Sequence, residues 1–580
     1  MSIILGINSY HPGASAALII DGQIVYAIAE ERLNRIKYFG GFPAMAIQAC
    51  LDHAGIDASQ IDHVALGRDS SANRAKKIEY TLKNPLLLGN LLKIKAARDV
   101  LDDLKTLISK QCGIDRDALR FQEHDIEHHL AHTASAYFIS NWDDAAGITI
   151  DGSGDFVTCM MSRCEGNTIT PVHRIYVPHS LGSFYTMICQ FIGYDRYGDE
   201  GKVMGLAPLG SEVYRDTFAK MVHYQDSNIM LNPEYFLPFG KNQGMVVNDD
   251  GTATLARMYS DLMVETFGEP RKRGAEITQR DMDMAFCLQQ RFEVIYFDLL
   301  NDLYDRVPNP RLAMAGGCAL NSVANGKLFD TTSFEETSIQ PAAGDEGLAL
   351  GAALYVSRCV LNEQTGPIEF SSYLGSCPED DSVQKSLEAR GLTYRKLDRA
   401  ELLETTAEHI ANGKVVGWFQ GRSEWGPRAL GNRSILCHPG YPGMKDILNA
   451  RIKHREAFRP FAPVVLAERQ SEIFDNDYPS PYMLHVYKIR EEWRSRLAAV
   501  THVDDTGRIQ TVAREENPLY YDLISAFAAR TGTPVLLNTS FNENEPIVEN
   551  ADEAIDCFMR TKMDIIVAGS FIVEKASSAS

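Results

Sequence analysis

The segment 124–138 reads HDIEHHLAHTASAYF and contains four histidines. Its small and apolar residues recur at helical spacing, which predicts a helix. His128 and His132 are four positions apart, so their imidazoles share one helix face at about 6 Å, a spacing that suits one metal ion. His124 lies on the same stripe and forms a competing pair with His128. A face of structural histidines is an equally good interpretation of the spacing alone.

Two aspartates supply the oxygen donors that such a pair lacks. Asp151 ends a predicted strand, and Asp345 lies in a bend between glycines. Two imidazoles with two carboxylates suit a borderline divalent cation, with Fe(II), Mn(II) and Zn(II) as candidates. His11 follows the first predicted strand and is a candidate general base toward a substrate hydroxyl, with a structural role as the alternative.

The stretch 422–459 is strongly basic within an acidic chain. It holds eight Lys or Arg against three Asp or Glu, whereas the chain as a whole has a formal charge of −20. Its cations alternate with glycines, prolines and aromatics, which favours a fixed anion pocket over a solvated basic face. Arginine forks bind phosphate or carboxylate through two parallel hydrogen bonds. A predicted strand at 534–537 then leads into NTSFN, which offers amide and hydroxyl donors.

A three-stranded motif occurs twice in the sequence and contains or precedes several of these candidate residues. Each copy has three predicted strands, with a polar, glycine-containing bend after the first strand. The strands span 3–8, 15–20 and 23–29 in the first copy and 147–151, 156–162 and 168–173 in the second. This duplication predicts an α/β nucleotide-binding lobe. Candidate nucleotide contacts lie in its bends and in a later Gly-Gly bend that suits close approach of a ligand: Gly152, Gly154, Gly316, Gly317 and Asn321.

Length and composition indicate a folded protein of more than one domain. At about 150 residues per domain, 580 residues are too many for one core. Periodicity is lost at 361–372, which predicts a linker between domains at 1–360 and 373–580. A content of 45% hydrophobic and 23% charged residues excludes a disordered or collagenous chain.

The same data bear on compartment and partners. The eleven cysteines have no CxxC spacing, which favours reduced thiols. We expect no signal peptide and no membrane helix, because a basic leader and a run of about 20 apolar residues are both missing. A cytoplasmic location is therefore expected. A charge of −20 makes long nucleic acids poor partners.

Nine motifs in order along nearly the whole chain resemble the O-carbamoyltransferases that modify antibiotics and nodulation factors. They are LGINSYHPGASAALIIDG, HHLAH, IDGSGD, GDEGKVMGLAP, AGGCALN, GDEG, GRSEWGPRALGNRS, KHREAFRPFAP and LLNTSFN. The resemblance implies an N-terminal lobe of the actin and sugar-kinase fold, similar to the universal tRNA threonylcarbamoyl-transfer protein. It also implies a YrdC-like α/β domain at the C-terminus.

The activity that the resemblance implies is carbamoyl transfer in two steps. The YrdC-like domain makes carbamoyladenylate from carbamoyl phosphate and ATP with Mg²⁺, and the N-terminal lobe transfers the carbamoyl group to a hydroxyl of a small metabolite. The matching motifs place an iron-type metal on His128, His132, Asp151 and Asp345. His129 stays open as a hydrogen-bond donor behind these residues and, like His124, as an alternative ligand. They place carbamoyl phosphate, ATP or the adenylate on Arg428, Lys453, Arg459, Asn538 and Ser540.

Two other functions compete with this one. A tRNA threonylcarbamoyl-type transferase shares both fold types, but the acidic charge opposes it. A non-catalytic nucleotide-binding regulator predicts ATP binding without turnover. The sequence leaves the acceptor and the oligomeric state open, although we expect the acceptor to be selected by the stretches 194–208 and 210–280.

Overall fold

A computed structural model describes residues 2–84, 103–237, 245–364, 366–456 and 458–575. The chain folds as two compact units, Met1–Phe370 and Ser371–Ser580. The boundary falls within the predicted linker. In the predicted specificity stretch 210–280, residues 238–244 lie outside the described residues.

The first sheet of unit 1 has five strands in the order β3-β2-β1-β4-β5. The strands are β1 (Ile3–Asn8), β2 (Ser15–Ile20), β3 (Gln23–Ala29), β4 (His63–Leu66) and β5 (Gln122–Asp125). Strands β1 to β3 are antiparallel, and β4 and β5 run parallel to β1. Asp21 and Gly22 both have positive φ, at 50° and 73°, as the tight turn between β2 and β3 requires.

The second sheet repeats this topology and confirms the predicted duplication. Its order is β8-β7-β6-β13-β14, again with three antiparallel strands followed by two parallel ones. Its strands are β6 (Asp144–Gly154), β7 (Val157–Glu165), β8 (Thr168–Tyr176), β13 (Arg311–Ala315) and β14 (Glu336–Ser338). Two hairpins lie between them in sequence: β9 (Val222–Gln225) with β10 (Asn228–Leu231), and β11 (Met245–Val247) with β12 (Ala253–Leu255).

Two helices rich in small residues, His128–Tyr137 and Leu348–Tyr355, pack against each other in unit 1. A Cβ on Gly351 of the second helix would come within 1.9 Å of Ala131 O in the first. A Cβ on Gly6 of β1 would come equally close to Ala349 O of the second helix. This close packing brings the start of the helix His128–Tyr137 near the turn that precedes Leu348–Tyr355. Over the described residues of unit 1, the other α-helices are Glu31–Asn34, Ala44–Ala54, Arg74–Lys83, Leu104–Cys112, Leu181–Phe191, Glu200–Leu206, Arg215–Met221, Asp261–Phe267, Gln279–Arg306, Ser322–Asn325 and Leu328–Thr331.

Unit 2 is built on one nine-stranded mixed sheet with a hydrophobic core on each face. The strands are β15 (Arg395–Lys396), β16 (Val416–Phe419), β17 (Arg433–Cys437), β18 (Ala462–Leu466), β19 (His485–Lys488), β20 (Thr506–Val512), β21 (Val535–Ser540), β22 (Ile565–Ala568) and β23 (Phe571–Glu574). Their order is β15-β23-β22-β16-β17-β21-β18-β20-β19. The helices are Asp380–Ala389, Arg399–Ala411, Met444–Leu448, Gln470–Ile473, Glu491–Arg494, Pro518–Thr531 and Ala551–Arg560.

All eleven cysteines are free thiols, and eight of them are buried. Within the described ranges, the helices are all too short or too polar to cross a membrane.

Candidate functional site

Four side chains converge in unit 1 with the spacing of metal ligands. One donor atom from each of His128, His132, Asp151 and Asp345 lies within 4.8 Å of the other three. The Nε2 atoms of His128 and His132 are 3.1 and 3.3 Å from Asp151 Oδ2. They are 3.7 and 3.4 Å from Asp345 Oδ1. The structure thus brings together the four residues that the resemblance assigns to a metal.

Three elements hold these ligands. The histidines lie one turn apart at the start of the helix His128–Tyr137, Asp151 lies on β6, and Asp345 begins the turn before Leu348–Tyr355. A Cβ on Gly154 would come within 2.0 Å of the His128 ring, so only glycine leaves room for this imidazole beside β6.

Each aspartate turns one oxygen toward the histidines, while the protein holds the other. Asp151 Oδ1 accepts hydrogen bonds from the backbone N–H groups of Gly152 and Gly317, at 2.7 and 3.2 Å. Asp345 Oδ2 accepts one from the Tyr197 hydroxyl at 3.2 Å and lies 2.6 Å from His11 Nδ1. Each carboxylate therefore has one oxygen left for a metal.

Burial and charge also fit a divalent cation. His132 Nε2 and Asp345 Oδ1 are buried, and despite these distances neither has a partner in hydrogen-bond geometry among the described residues. Burial opposes ionisation of Asp345, but the charge of His11 outweighs it and holds the pKa of Asp345 far below its usual range. Burial likewise lowers the pKa of His132, but Asp151 and Asp345 outweigh it and raise that pKa to about 9. The two carboxylates attract positive charge, which a bound cation supplies in place of a proton.

The neighbouring histidines have other partners. His129 is buried with Nδ1 at 2.6 Å from Thr149 Oγ1 and Nε2 at 3.0 Å from Val157 O. Burial and the two flanking histidines lower its pKa to about 3, which keeps it neutral. His124 lies on β5, where its Nε2 is 3.0 Å from His63 Nδ1. This geometry favours the 128/132 pair over both alternatives.

His11 joins the cluster through Asp345. Burial lowers the pKa of His11, but the Asp345 carboxylate at Nδ1 outweighs it and raises that pKa. In the neutral imidazole the proton stays on Nδ1, and Nε2 has a free lone pair. The side chain is 32% exposed and therefore open to a substrate. This tautomer is the one that a general base requires.

The residues predicted as nucleotide contacts lie beside the two-histidine, two-aspartate cluster and contact protein groups there. Gly316 has φ of 91°, and a Cβ there would lie 2.5 Å from Ile150 O. The buried Asn321 exchanges two hydrogen bonds with Gln289 and caps a helix through Ala324 N. Gly316 thus lets the end of β13 lie against β6, and Asn321 joins its loop to the helix Gln279–Arg306.

Lys453 in unit 2 is buried against the loop that follows β21. Its Nζ donates to Ser540 O, Asn542 O and Asn542 Oδ1, each at 2.7 Å. The Ser540 hydroxyl donates to the same Asn542 Oδ1 at 2.7 Å. Because an ammonium has three donors, Lys453 orders this loop in the present geometry.

Four arginines, Arg428, Arg455, Arg459 and Arg508, form a cationic cluster in unit 2. Burial, together with the charges of Arg428, Arg455 and Arg459, lowers the pKa of Arg508 well below its usual range. Burial and the charge of Arg459 lower the pKa of Arg455 to about 9. Such a concentration of like charge is unfavourable unless an anion joins it. Sequence reasoning missed Arg508, since it lies alone on β20, about 50 residues beyond the basic stretch.

Three of the eight cations at 422–459 have other roles. The guanidinium of Arg422 donates to Leu374 O and Gly375 O. Arg433 is fully buried and donates to Gln420 O, Gly421 O and Ser376 O. Arg451 lies at the surface, 3.9 Å from Asp564. Part of the local charge excess therefore stabilises loops rather than a ligand.

Family models match both ends of the chain. Residues 3–354 match the model described as carbamoyltransferase N-terminus, and residues 407–575 match carbamoyltransferase C-terminus. The chain belongs to the carbamoyltransferase family. It is therefore a transferase.

Curated relatives extend over most of this carbamoyltransferase. An uncharacterised Synechocystis protein is 38% identical over 100% of this chain and 97% of its own length. Nodulation protein NolNO of Sinorhizobium fredii is 37% identical over 99% of this chain and 80% of its own. The 3′-hydroxymethylcephem-O-carbamoyltransferase of Amycolatopsis lactamdurans is 32% identical over 65% of this chain and 66% of its own.

Solved structures are more distant. Full-length HypF in a phosphate- and nucleotide-bound form is 13% identical with a TM-score of 0.31, over 63% of this chain and 56% of its own. The ROK hexokinase of Thermus thermophilus is 13% identical with a TM-score of 0.28, over 61% of this chain and 100% of its own.

Proposed function

We propose that the protein is an ATP-dependent O-carbamoyltransferase that acts on a hydroxyl of a small natural product. Unit 2, as a YrdC-like domain, makes carbamoyladenylate from carbamoyl phosphate and ATP, and unit 1 transfers the carbamoyl group. The observation that carries this proposal is the pair of separate sites: a buried two-histidine, two-aspartate set in unit 1 and a four-arginine cluster in unit 2.

The first half-reaction uses the arginines. Water displaces phosphate from carbamoyl phosphate, and the carbamate oxygen then attacks the α-phosphorus of ATP, which releases pyrophosphate. Arg428, Arg459 and Arg508 neutralise the phosphate oxygens as their charge shifts. Lys453 holds the 540–542 loop and so fixes the backbone of Ser540, while Asn538 is held on β21 by Ala429 O and Gln510 Oε1.

The second half-reaction uses the unit 1 cluster. His11 Nε2 takes the proton of the acceptor hydroxyl, whose oxygen attacks the carbamoyl carbon, and AMP leaves. Asp345 orients His11 through Nδ1 and stabilises the imidazolium that forms. His128, His132, Asp151 and Asp345 would hold a divalent metal, with Fe(II) as the first candidate and Mn(II) or Zn(II) as the others. Such a metal would supply Lewis-acid stabilisation of phosphate oxygens.

Two variants separate the half-reactions. Pyrophosphate release from ATP is measured without acceptor, and carbamoylation of the cephem alcohol named for the Amycolatopsis relative is measured beside an alcohol panel. We expect Arg459→Ala to lose carbamoyl phosphate-dependent pyrophosphate release. We expect Asp151→Asn to retain that release but to lose transfer.

Arg451→Ala is the matched control, because Arg451 is a surface residue of the same basic stretch. Wild-type protein that releases no pyrophosphate, or releases it equally without carbamoyl phosphate, would contradict the proposal.

A further inference from the structure

His502 immediately precedes the turn that leads into β20 of unit 2. Its backbone N–H donates to Thr506 O at 2.8 Å, and its Nδ1 lies 3.0 Å from Thr506 Oγ1. The Thr506 hydroxyl donates its proton to Asp504 Oδ1 at 2.7 Å. Because a hydroxyl has only one hydrogen, Thr506 Oγ1 accepts from Nδ1. The proton of the neutral imidazole is therefore on Nδ1.

This tautomer leaves Nε2 of His502 as an acceptor. The atom is buried, and no described residue donates a hydrogen bond to it. Burial, supported by the charges of Arg508 and Lys445 and opposed by that of Asp504, lowers the pKa of His502 to about 4, so the imidazole is neutral. Buried acceptors without a donor are rare, because the cost of desolvation is not recovered. Nε2 suits a group that carries hydrogen, and water is the smallest such group.

His502 packs on the face of β20 that bears an arginine of the cationic cluster. Side chains alternate along a strand, so Thr506, which His502 contacts, is on the same face as Arg508. A second link runs through Lys445, whose charge interacts with those of both His502 and Arg455. The lone pair of Nε2 thus lies beside the cations that we assign to the phosphate groups.

The first half-reaction consumes a water molecule, whose proton needs an acceptor. Arginines have no lone pair to accept it. Lys453 is held as an ammonium by three acceptors at 2.7 Å. Glu456 is a carboxylate beside the cluster, but Arg459 Nη1 lies 3.7 Å from it. His502 instead offers a buried nitrogen whose tautomer is fixed and which lacks a donor among the described residues.

We propose that His502 is the general base that takes a proton from the water that attacks carbamoyl phosphate. This inference rests on the proposed function of unit 2. The water oxygen bonds to the carbamoyl carbon, and one water proton moves to Nε2. The bond between that carbon and the phosphate oxygen breaks, and phosphate leaves with the electron pair. The carbamic acid then loses its acidic proton and becomes the carbamate that attacks ATP.

The bound phosphate makes this histidine a better base. An anion among the arginines offsets the charges that lower the pKa of His502, so its Nε2 gains basicity when the substrate is present. General bases of this kind contribute about 100- to 10,000-fold to a rate.

The test supplies carbamate directly and so bypasses the water step. Freshly dissolved ammonium carbamate replaces carbamoyl phosphate, pyrophosphate release from ATP is measured with each substrate, and sodium bicarbonate is the blank. We expect His502→Asn to lower release with carbamoyl phosphate by about 100-fold or more but to keep the wild-type rate with carbamate. Asparagine retains an N–H donor for Thr506 Oγ1 and lacks Nε2.

Two controls separate this role from binding and from folding. Arg459→Ala should lose release with both substrates, because it removes a contact to the phosphates. His409→Asn changes a histidine of the helix Arg399–Ala411 whose Nε2 lies 3.6 Å from Glu574, and it should keep both activities. Equal loss with both substrates in His502→Asn, or no loss with either, would overturn the inference.

Isotopically labelled water tests where the water attacks. Attack at carbon leaves the released phosphate unlabelled, whereas labelled phosphate would show attack at phosphorus and contradict the proposed step. Wild-type protein that uses carbamoyl phosphate but not carbamate would also overturn the inference. Wild-type protein that releases no pyrophosphate with either substrate would instead refute the proposed function itself.

Discussion

A single methyl group at Gly154 should abolish the unit 1 metal site. The added Cβ would lie 2.0 Å from His128 Cγ, 2.1 Å from Cδ2 and 2.4 Å from Nδ1. Since carbon atoms in contact are about 3.5 Å apart, the imidazole must retreat by about 1.5 Å. Metal–nitrogen bonds tolerate only about 0.2 Å, so His128 can no longer serve as a ligand.

Loss of a residue that only hydrogen-bonds a metal ligand lowers metal affinity about 10- to 100-fold. Displacement of the ligand itself should cost more, so we expect a loss of about 100-fold or more in Gly154→Ala. Calorimetric titration of Mn(II), or of Fe(II) without oxygen, into metal-stripped protein measures it. Circular dichroism checks that Gly154→Ala still folds.

The same loop provides the control. A Cβ on Gly152 meets no atom within 4 Å, so Gly152→Ala should bind the metal as the wild type does. Wild-type affinity in Gly154→Ala, or equal impairment in both variants, would refute the assignment of His128 as a ligand.

Two further predictions concern unit 2. Arg508→Ala should raise the KM for carbamoyl phosphate or ATP in pyrophosphate release by about 10- to 100-fold, since one charge-assisted contact is lost; an unchanged KM would exclude Arg508 from the site. Burial lowers the pKa of His485 to about 4. In the unfolded chain this histidine binds a proton near pH 6.5, whereas in the folded protein it does so only near pH 4. Its contribution to the free energy of unfolding is therefore complete above pH 6.5 and falls by about 1.4 kcal/mol per pH unit as the pH drops toward 4. Denaturant unfolding at several pH values should show a shallower dependence in His485→Gln, and an unchanged slope would contradict this reasoning.

Local patterns in the sequence predicted the elements that carry the unit 1 site. The layout of three short strands with a polar, glycine-containing bend after the first identified a unit whose second copy begins at Gly147, and the two sheets have the same topology. Spacing of four also put His128 and His132 on one helix face. These signals are local, so a single sequence contains them.

The remaining features depend on contacts between distant segments. His129 is unsuitable as a metal ligand because its two ring nitrogens contact Thr149 on β6 and Val157 on β7, which are distant from it in the sequence. Arg508 joins the cationic cluster only because β20 lies next to β18 in the sheet. Composition also could not reveal that Arg433 donates hydrogen bonds to backbone carbonyls, because the path of the surrounding loops determines these partners.

The measurement that tests the central claim most directly is mass spectrometry of acid-quenched reactions of Asp151→Asn with carbamoyl phosphate and ATP. If unit 2 activates the carbamoyl group and unit 1 transfers it, carbamoyl-AMP should accumulate in this variant. It should be absent when carbamoyl phosphate is omitted and in Arg459→Ala. Carbamoylated acceptor formed by Asp151→Asn at the wild-type rate, or ATP consumption with no carbamoyl-AMP in any reaction, would contradict this division of labour.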